Sequence, residues 1–269
     1  MNNFEDLNVL PLNIPDTHKG KPLKKPIHPH IPNLTQSVTL IVAPKGSGKG
    51  VLVNNLIFRF WGMDNIDSLF YISPTIYSDK TSFHVRKNYP NTLYTEYSDT
   101  LIKDIVDFQK NTPVEERGRC VIVADDCVDF SNARNQLSKT CCMARHNSIY
   151  PVILSQQMKS VNKLIRTNAS NVIIFKINSE EEFESIYKVY GALVGDKQTF
   201  KKYCAYCWNK KYNFMHMDLD ANPIKIYKNF TEDITNKFKT QSYLDIDNEV
   251  VNSTDASILN YDDSESAED

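Results

Sequence analysis

Residues 43–50 read APKGSGKG and follow the apolar run Val38-Thr39-Leu40-Ile41-Val42. A lysine among glycines, between a strand and a helix, can cradle phosphate. The glycines let the backbone close on the anion, and the start of the helix adds the positive end of its dipole. In that chemistry Pro44, Lys45, Gly46, Ser47, Gly48, Lys49, Gly50 and Val51 form the cradle, and the Lys49 ammonium lies near the β- and γ-phosphates of ATP. The pattern G-x-x-x-x-G-K-[ST] is broken twice: Ala43 replaces the first glycine, and Gly50 replaces the Ser/Thr whose hydroxyl ligates Mg²⁺.

Some 75 residues further on, Cys120-Val121-Ile122-Val123-Ala124 runs into Asp125-Asp126. A buried parallel strand ending in acids delivers carboxylates to the sheet edge where α/β folds bind ligands. Asp125 is the candidate for holding Mg²⁺, and Asp126 for orienting the attacking water, a role often taken by Glu. The neighbouring apolar run, Tyr150 to Leu154, ends in Ser155-Gln156-Gln157. Gln156 is the preferred polar sensor of the γ-phosphate, with Ser155 and Gln157 behind it. Arg145 and Arg166 flank this stretch, and each is a candidate for the arginine that stabilises charge in phosphoryl transfer. An arginine near a helix end also serves as a carbonyl cap or a surface ion pair, so spacing leaves both roles open.

These residues need a sheet to hold them. From 38 to about 177 apolar strand patterns alternate with helical ones, which predicts a mostly parallel sheet covered by helices on both faces. Strands are expected at 38–42, 69–73, 121–124, 152–154 and 172–176, with a weaker one at 93–95. Helices are expected at 49–61, 101–109, 135–145, 159–167 and 180–190, with an amphipathic stretch at 200–208. Residues 213–217 and 224–227, split by Asp220-Ala221-Asn222-Pro223, predict an antiparallel hairpin at the sheet edge. Six of the twelve prolines fall in residues 1–35, together with four lysines, which predicts an extended basic arm before a domain at 36–230. That arm would wrap a neighbouring subunit, touch nucleic acid or simply be flexible.

The 269 residues suffice for one full core and a tail. Residues 241–269 hold nine acids and no Lys or Arg, so the rest of the chain carries 31 basic against 24 acidic residues, a net of about +7. A basic body suits a polyanion surface, while residues 231–269 are expected to be an acidic, disordered tail. No apolar run is long enough to span a membrane, and the first ten residues lack signal-peptide regions, so a soluble, unsecreted protein is expected. Cys204-Ala205-Tyr206-Cys207, with His216 nine residues on, is only a fragment of a zinc site, and two reduced cysteines on a helix are expected instead. Cys127, beside the acid pair, is either redox-sensitive or a buried inert thiol.

In this order, APKGSGKG, VIVADD, ARHNSIYPVILSQQ, LIRTNASNVIIF and YNFMHMDLDANPIKIYKNF resemble the FtsK/HerA superfamily of DNA-pumping ATPases. Within it they are most similar to the poxvirus-type genome-packaging ATPases of large DNA viruses and virophages. The resemblance spans about 38–230. It implies a RecA-like P-loop ATPase core, acting as a homo-oligomeric ring that drives double-stranded DNA into a preformed viral capsid in the infected cell or at the virion. It also implies ATP and Mg²⁺ as ligands and capsid proteins as partners. Lys49, Asp125 and Asp126 take the phosphate, metal and water roles, Gln156 the sensor role, and Arg145 and Arg166 those of trans-acting or sensor arginines. Lys159 and Lys163 are guesses for DNA contact. Two other readings stand beside this one. The first is a cellular or plasmid translocase or helicase of the same superfamily; the second, favoured by Gly50, is a catalytically weak nucleotide-binding assembly protein.

Overall fold

Aliphatic and β-branched runs form strands buried on both faces, as a sheet covered on two sides requires. The computed structural model describes residues 21–34, 37–127, 132 and 134–239. Its elements are β1 (Thr39–Val42), α1 (Lys49–Asn55), β2 (Ser68–Ile72), α2 (Phe83–Asn88), β3 (Leu93–Tyr94), α3 (Asp99–Asn111), β4 (Cys120–Asp125), α4 (Gln136–Met143), β5 (Ile149–Ser155), α5 (Lys163–Asn168), β6 (Asn171–Phe175), α6 (Glu180–Val189), α7 (Lys197–Cys207), β7 (Phe214–Asp218), β8 (Lys225–Lys228) and β9 (Glu232–Asp233). One sheet joins all nine strands in the order β3-β2-β4-β5-β1-β6-β7-β8-β9. From β3 to β6 neighbours are parallel; β7, β8 and β9 add antiparallel strands at the β6 side.

Alternation along each strand divides the core in two. Leu40 and Val42 of β1, with Cys120, Ile122 and Ala124 of β4, face the helices α3 to α7. Ile41 of β1, with Val121 and Val123 of β4, packs instead with Leu52, Val53, Leu56, Ile57 and Trp61 from α1 and its continuation. Burying each such aliphatic side chain contributes roughly 1.5–3 kcal/mol. α3 shows why its sequence folds as it does: Ser98 accepts from the Leu101 amide as N-cap, and Ile102, Ile105 and Val106 recur at helical spacing and are buried.

Several boundaries differ from the sequence expectation. The helix expected over 49–61 changes to π-helical geometry at Leu56–Trp61. The one expected over 159–167 is broken: Met158–Ser160 is a 3-10 turn, Val161 is extended, and Asn162 restarts a helix by accepting from the Ile165 amide. The helix expected to end at 145 stops at Met143, and Arg145–Asn147 forms a 3-10 turn.

Order also extends past both expected domain limits. Residues 21–34 form no helix or strand, yet they pack on the body: Leu34 is fully buried, Asn65 Oδ1 accepts from the Lys24 amide at 2.8 Å, and the Trp61 indole donates to the Pro32 carbonyl at 2.6 Å. At the other end Ile234 and Thr235 are buried, and the Tyr203 hydroxyl donates to the Thr235 carbonyl at 2.5 Å. The first twenty residues of the expected arm and the tail from 240 lie outside the described residues. No helix among the described residues is long and apolar enough to cross a membrane.

Candidate functional site

The loop between β1 and α1 lies at the C-terminal edge of the parallel strands, flanked by β5 and β6. Gly46 (φ 76°) and Gly48 (φ 99°) adopt the left-handed backbone that favours glycine. At Gly48 space is a second constraint, because a Cβ there would stand 3.2 Å from the Tyr212 ring. Ala43 has no such need: it is buried, lies outside the left-handed region, and donates its amide to the Ser155 carbonyl at 3.0 Å. The first departure from the loop pattern is therefore sterically neutral. Ser47 ties the loop across itself, its hydroxyl donating to the Pro44 carbonyl at 2.7 Å.

β4 is two strands from β1, with β5 between them, so the ends of all three converge. Lys49 forms an ion pair and a short hydrogen bond with Asp126, and its Nζ stands 3.1 Å from Asp125 Oδ1. Burial opposes the Lys49 charge, but the two carboxylates hold its pKa above the usual lysine value. Gln156 donates from Nε2 to Asp126 Oδ2 at 3.0 Å, which joins the end of β5 to the acid pair. Ser155 and Gln157 turn inward on local bonds instead, the Ser155 hydroxyl donating to the Gln157 carbonyl at 2.9 Å.

Asp125 is 8% exposed, and burial raises its carboxyl above the usual range against the pull of Lys49. Ser73 donates to its Oδ2 at 3.4 Å, whereas Oδ1 faces the Lys49 ammonium at 3.1 Å without a well-aligned hydrogen bond. A buried carboxylate oxygen held only by so loosely aligned a partner suits a hard cation. Among the described residues no three or more His, Cys, Asp or Glu cluster as a metal site. Mg²⁺ held by one or two carboxylates and substrate phosphates needs no such cluster. The donor set therefore fits Mg²⁺.

These groups line an open cleft of about 1650 Å³, together with the aromatic side chains Tyr212, Phe214, Phe230 and Phe60 and with His28 and His30. Sequence reasoning did not assign these aromatic and histidine residues to the site, nor Asp79 and Thr81, which also line the cleft. The loop around 211–213 gave no periodic signal, and residues 27–31 fell in the expected arm.

Arg145 and Arg166 do not line the cleft. Arg145 precedes the start of β5 and Arg166 lies late in α5, shortly before the start of β6, so both sit toward the opposite edge of the sheet. Lys159 pairs with Glu181 on α6. Cys204 and Cys207 are buried in α7, and His216 shares its Nε2 with Asn171 Oδ1 at 2.8 Å. Burial and the Asp125 carboxylate push the Cys127 thiol up to about 12, which disfavours the thiolate at neutral pH and fits the inert-thiol reading.

A glycine-rich loop after β1, an acid pair on β4 and a polar strand end between them define a P-loop NTPase fold with a mostly parallel sheet. The chain belongs to the poxvirus A32 protein family, whose model matches residues 35–216. An uncharacterized protein, 075L, of Invertebrate iridescent virus 6 is 26% identical over 174 residues, a match spanning 62% of this chain and 65% of that one. Among solved structures, the genome packaging NTPase B204 from Sulfolobus turreted icosahedral virus 2, in complex with ATP-gammaS, has a similar fold. It is 16% identical, covers 73% of this chain and 98% of its own, and gives a TM-score of 0.53. The DNA-packaging ATPase B204 from Sulfolobus Turreted Icosahedral Virus is 14% identical over 73% of this chain and 98% of its own, with a TM-score of 0.54. The pCW3 conjugation coupling protein TcpA, with ATPgS, is 16% identical over 82% of this chain and 66% of its own, with a TM-score of 0.53. At these identities the structural likeness concerns the fold.

Proposed function

We propose that the chain is the ATPase subunit of a homo-oligomeric ring that moves double-stranded DNA into a viral capsid. The observation that carries this reading is the convergence of Lys49, Asp125, Asp126 and Gln156 at one sheet edge, beside the loop 43–50. Membership of the poxvirus A32 protein family, and the fold shared with viral genome packaging NTPases, support the viral setting. The B204 complexes with ATP-gammaS, AMPPCP and AMP support a nucleotide as ligand.

In this proposal the backbone of residues 44–51 cradles the phosphates, and Lys49 leaves its carboxylate partners to lie against the β- and γ-oxygens. Asp125 would hold Mg²⁺, which supplies charge neutralisation between the phosphates. Asp126, released from Lys49, accepts a proton from the attacking water while Gln156 fixes its position. Arg145 or Arg166 of a neighbouring subunit completes the site, because neither reaches the cleft of its own chain. The net positive body contacts DNA phosphates without reading sequence.

The test is ATP turnover with and without linear double-stranded DNA, for the wild type, Lys49→Ala and Asp126→Asn. DNA-stimulated hydrolysis lost in both variants is the expected result. Tight nucleotide binding with no turnover under any condition would overturn the motor and leave the assembly protein, the reading that Gly50 favours.

A further inference from the structure

Gly50 occupies the loop position whose side-chain hydroxyl holds the metal in related loops, so the hydroxyl is missing from α1 itself. The space it would fill is taken. A Cβ at residue 50 would stand 2.7 Å from Thr81 Oγ1 and 3.5 Å from Asp79 Oδ2. A side chain at 50 and the present Thr81 rotamer therefore exclude each other. The glycine makes room for a hydroxyl that arrives from another element.

That element is held in place. Asp79 caps the 3-10 turn Lys80–Ser82, its Oδ1 accepting from the Thr81 amide at 2.9 Å. Arg86 Nη1, from α2, donates to the carbonyls of Ile76 at 2.6 Å and Asp79 at 2.8 Å, and Ile76 is fully buried. Thr81 donates its hydroxyl hydrogen to Asp79 Oδ2 at 2.7 Å, which fixes the rotamer and leaves the oxygen's lone pairs available to a cation. Asp79, Thr81, Asp125 and Lys49 line the same cleft.

We infer that Thr81, oriented by Asp79, replaces the missing loop hydroxyl as an oxygen ligand for the nucleotide's divalent cation. The inference rests on the reading of the cleft as a Mg²⁺–ATP site. It changes the meaning of Gly50 from a lost ligand to a relocated one. Sequence motifs miss such a relocation because residues 50 and 81 are brought together only by the packing of the 79–82 turn on α1.

The experiment measures equilibrium binding of a fluorescent ATPγS analogue by the full chain, in EDTA and across a Mg²⁺ titration. Thr81→Val should leave binding in EDTA unchanged and raise the Mg²⁺ concentration for half-maximal tightening about tenfold or more, the scale on which metal sites lose affinity when a supporting group is removed. Thr81→Ser should behave as the wild type. Gly50→Ser alone should weaken the Mg²⁺ response, because the new side chain collides with Thr81. Gly50→Ser combined with Thr81→Ala should restore the response by returning the hydroxyl to the loop. A wild-type Mg²⁺ response in Thr81→Val overturns the inference while leaving the nucleotide site intact. A loss that the double variant does not restore assigns Thr81 to packing and likewise overturns it. A wild-type chain that binds no nucleotide with Mg²⁺ overturns the reading of the cleft itself.

Discussion

Asp126 has φ 47°, a left-handed backbone that non-glycine residues adopt at a cost, lowest for Asp and Asn. Asp126→Asn therefore keeps the turn while it removes the negative charge, ends the ion pair with Lys49 and turns one carboxylate oxygen into an NH₂ donor. ATP turnover is expected to fall by about a hundredfold or more, the contribution typical of a positioned base, while the thermal melting curve stays close to wild type. Gly48→Ala acts oppositely: it forces a side chain into φ 99° and toward the Tyr212 ring, and is expected to cost about 1–2 kcal/mol in a denaturant titration. Nucleotide binding should weaken with it, since the same backbone forms the cradle. Lys49 was legible from the glycine-rich loop that follows β1, and Asp125, Asp126 and Gln156 because they stand at the ends of apolar runs, where the sheet topology gathers strand ends. Asp79, Thr81 and Tyr212 were not legible, because they reach the cleft through turns of mixed polarity that carry no periodicity. One clue did exist: with Gly50 at the hydroxyl position, any side-chain oxygen held there must come from another element, as proposed for Thr81.

At the level of elements, β7 carries a buried histidine that couples the sheet to pH. His216 stacks on Tyr227 of β8 with ring centroids 5.4 Å apart, and burial lowers its pKa to about 3. The folded protein thus holds a neutral imidazole, whereas the unfolded chain takes up a proton near pH 6.5. The contribution of the neutral ring is fully present above pH 6.5 and is lost as pH falls toward 3, at about 1.4 kcal/mol per pH unit. Urea unfolding at pH 7 and pH 5 should show a smaller loss for His216→Gln than for the wild type, whatever the variant's stability at pH 7. The hairpin that carries this residue could be read in advance from two apolar runs split by a Pro-containing turn. α2 could not: its six residues bury only Val85, too little to set a helical period. The restart at Asn162 was hidden for another reason, since an asparagine inside an apparently helical stretch declares itself a cap only when the residue before it turns extended.

For the whole molecule, the decisive geometry is the distance between the arginines and the cleft. The cleft opens at the C-terminal edge of the parallel strands, while Arg145 and Arg166 lie toward the edge where β5 and β6 begin. β5 alone is seven residues long, roughly 23 Å at the usual rise, too far for one arginine to reach back within its own chain. The proposed ring must therefore bring one subunit's arginine edge to the next subunit's cleft, a head-to-tail contact that closes by rotation. Mixing separates this arrangement from a site complete in each chain. Lys49→Ala and the variant lacking the finger, Arg145→Ala or Arg166→Ala, should each be inactive as pure rings. Assembled together in equal amounts, they should regain activity at about a quarter of the interfaces, those pairing an intact Lys49 with a neighbour's intact arginine. Recovery should track the mixing ratio and peak near equal proportions. If the mixture stays inactive, or if both arginine variants turn over ATP as the wild type does, neither arginine acts across the interface, and the ring must complete its site with a different group.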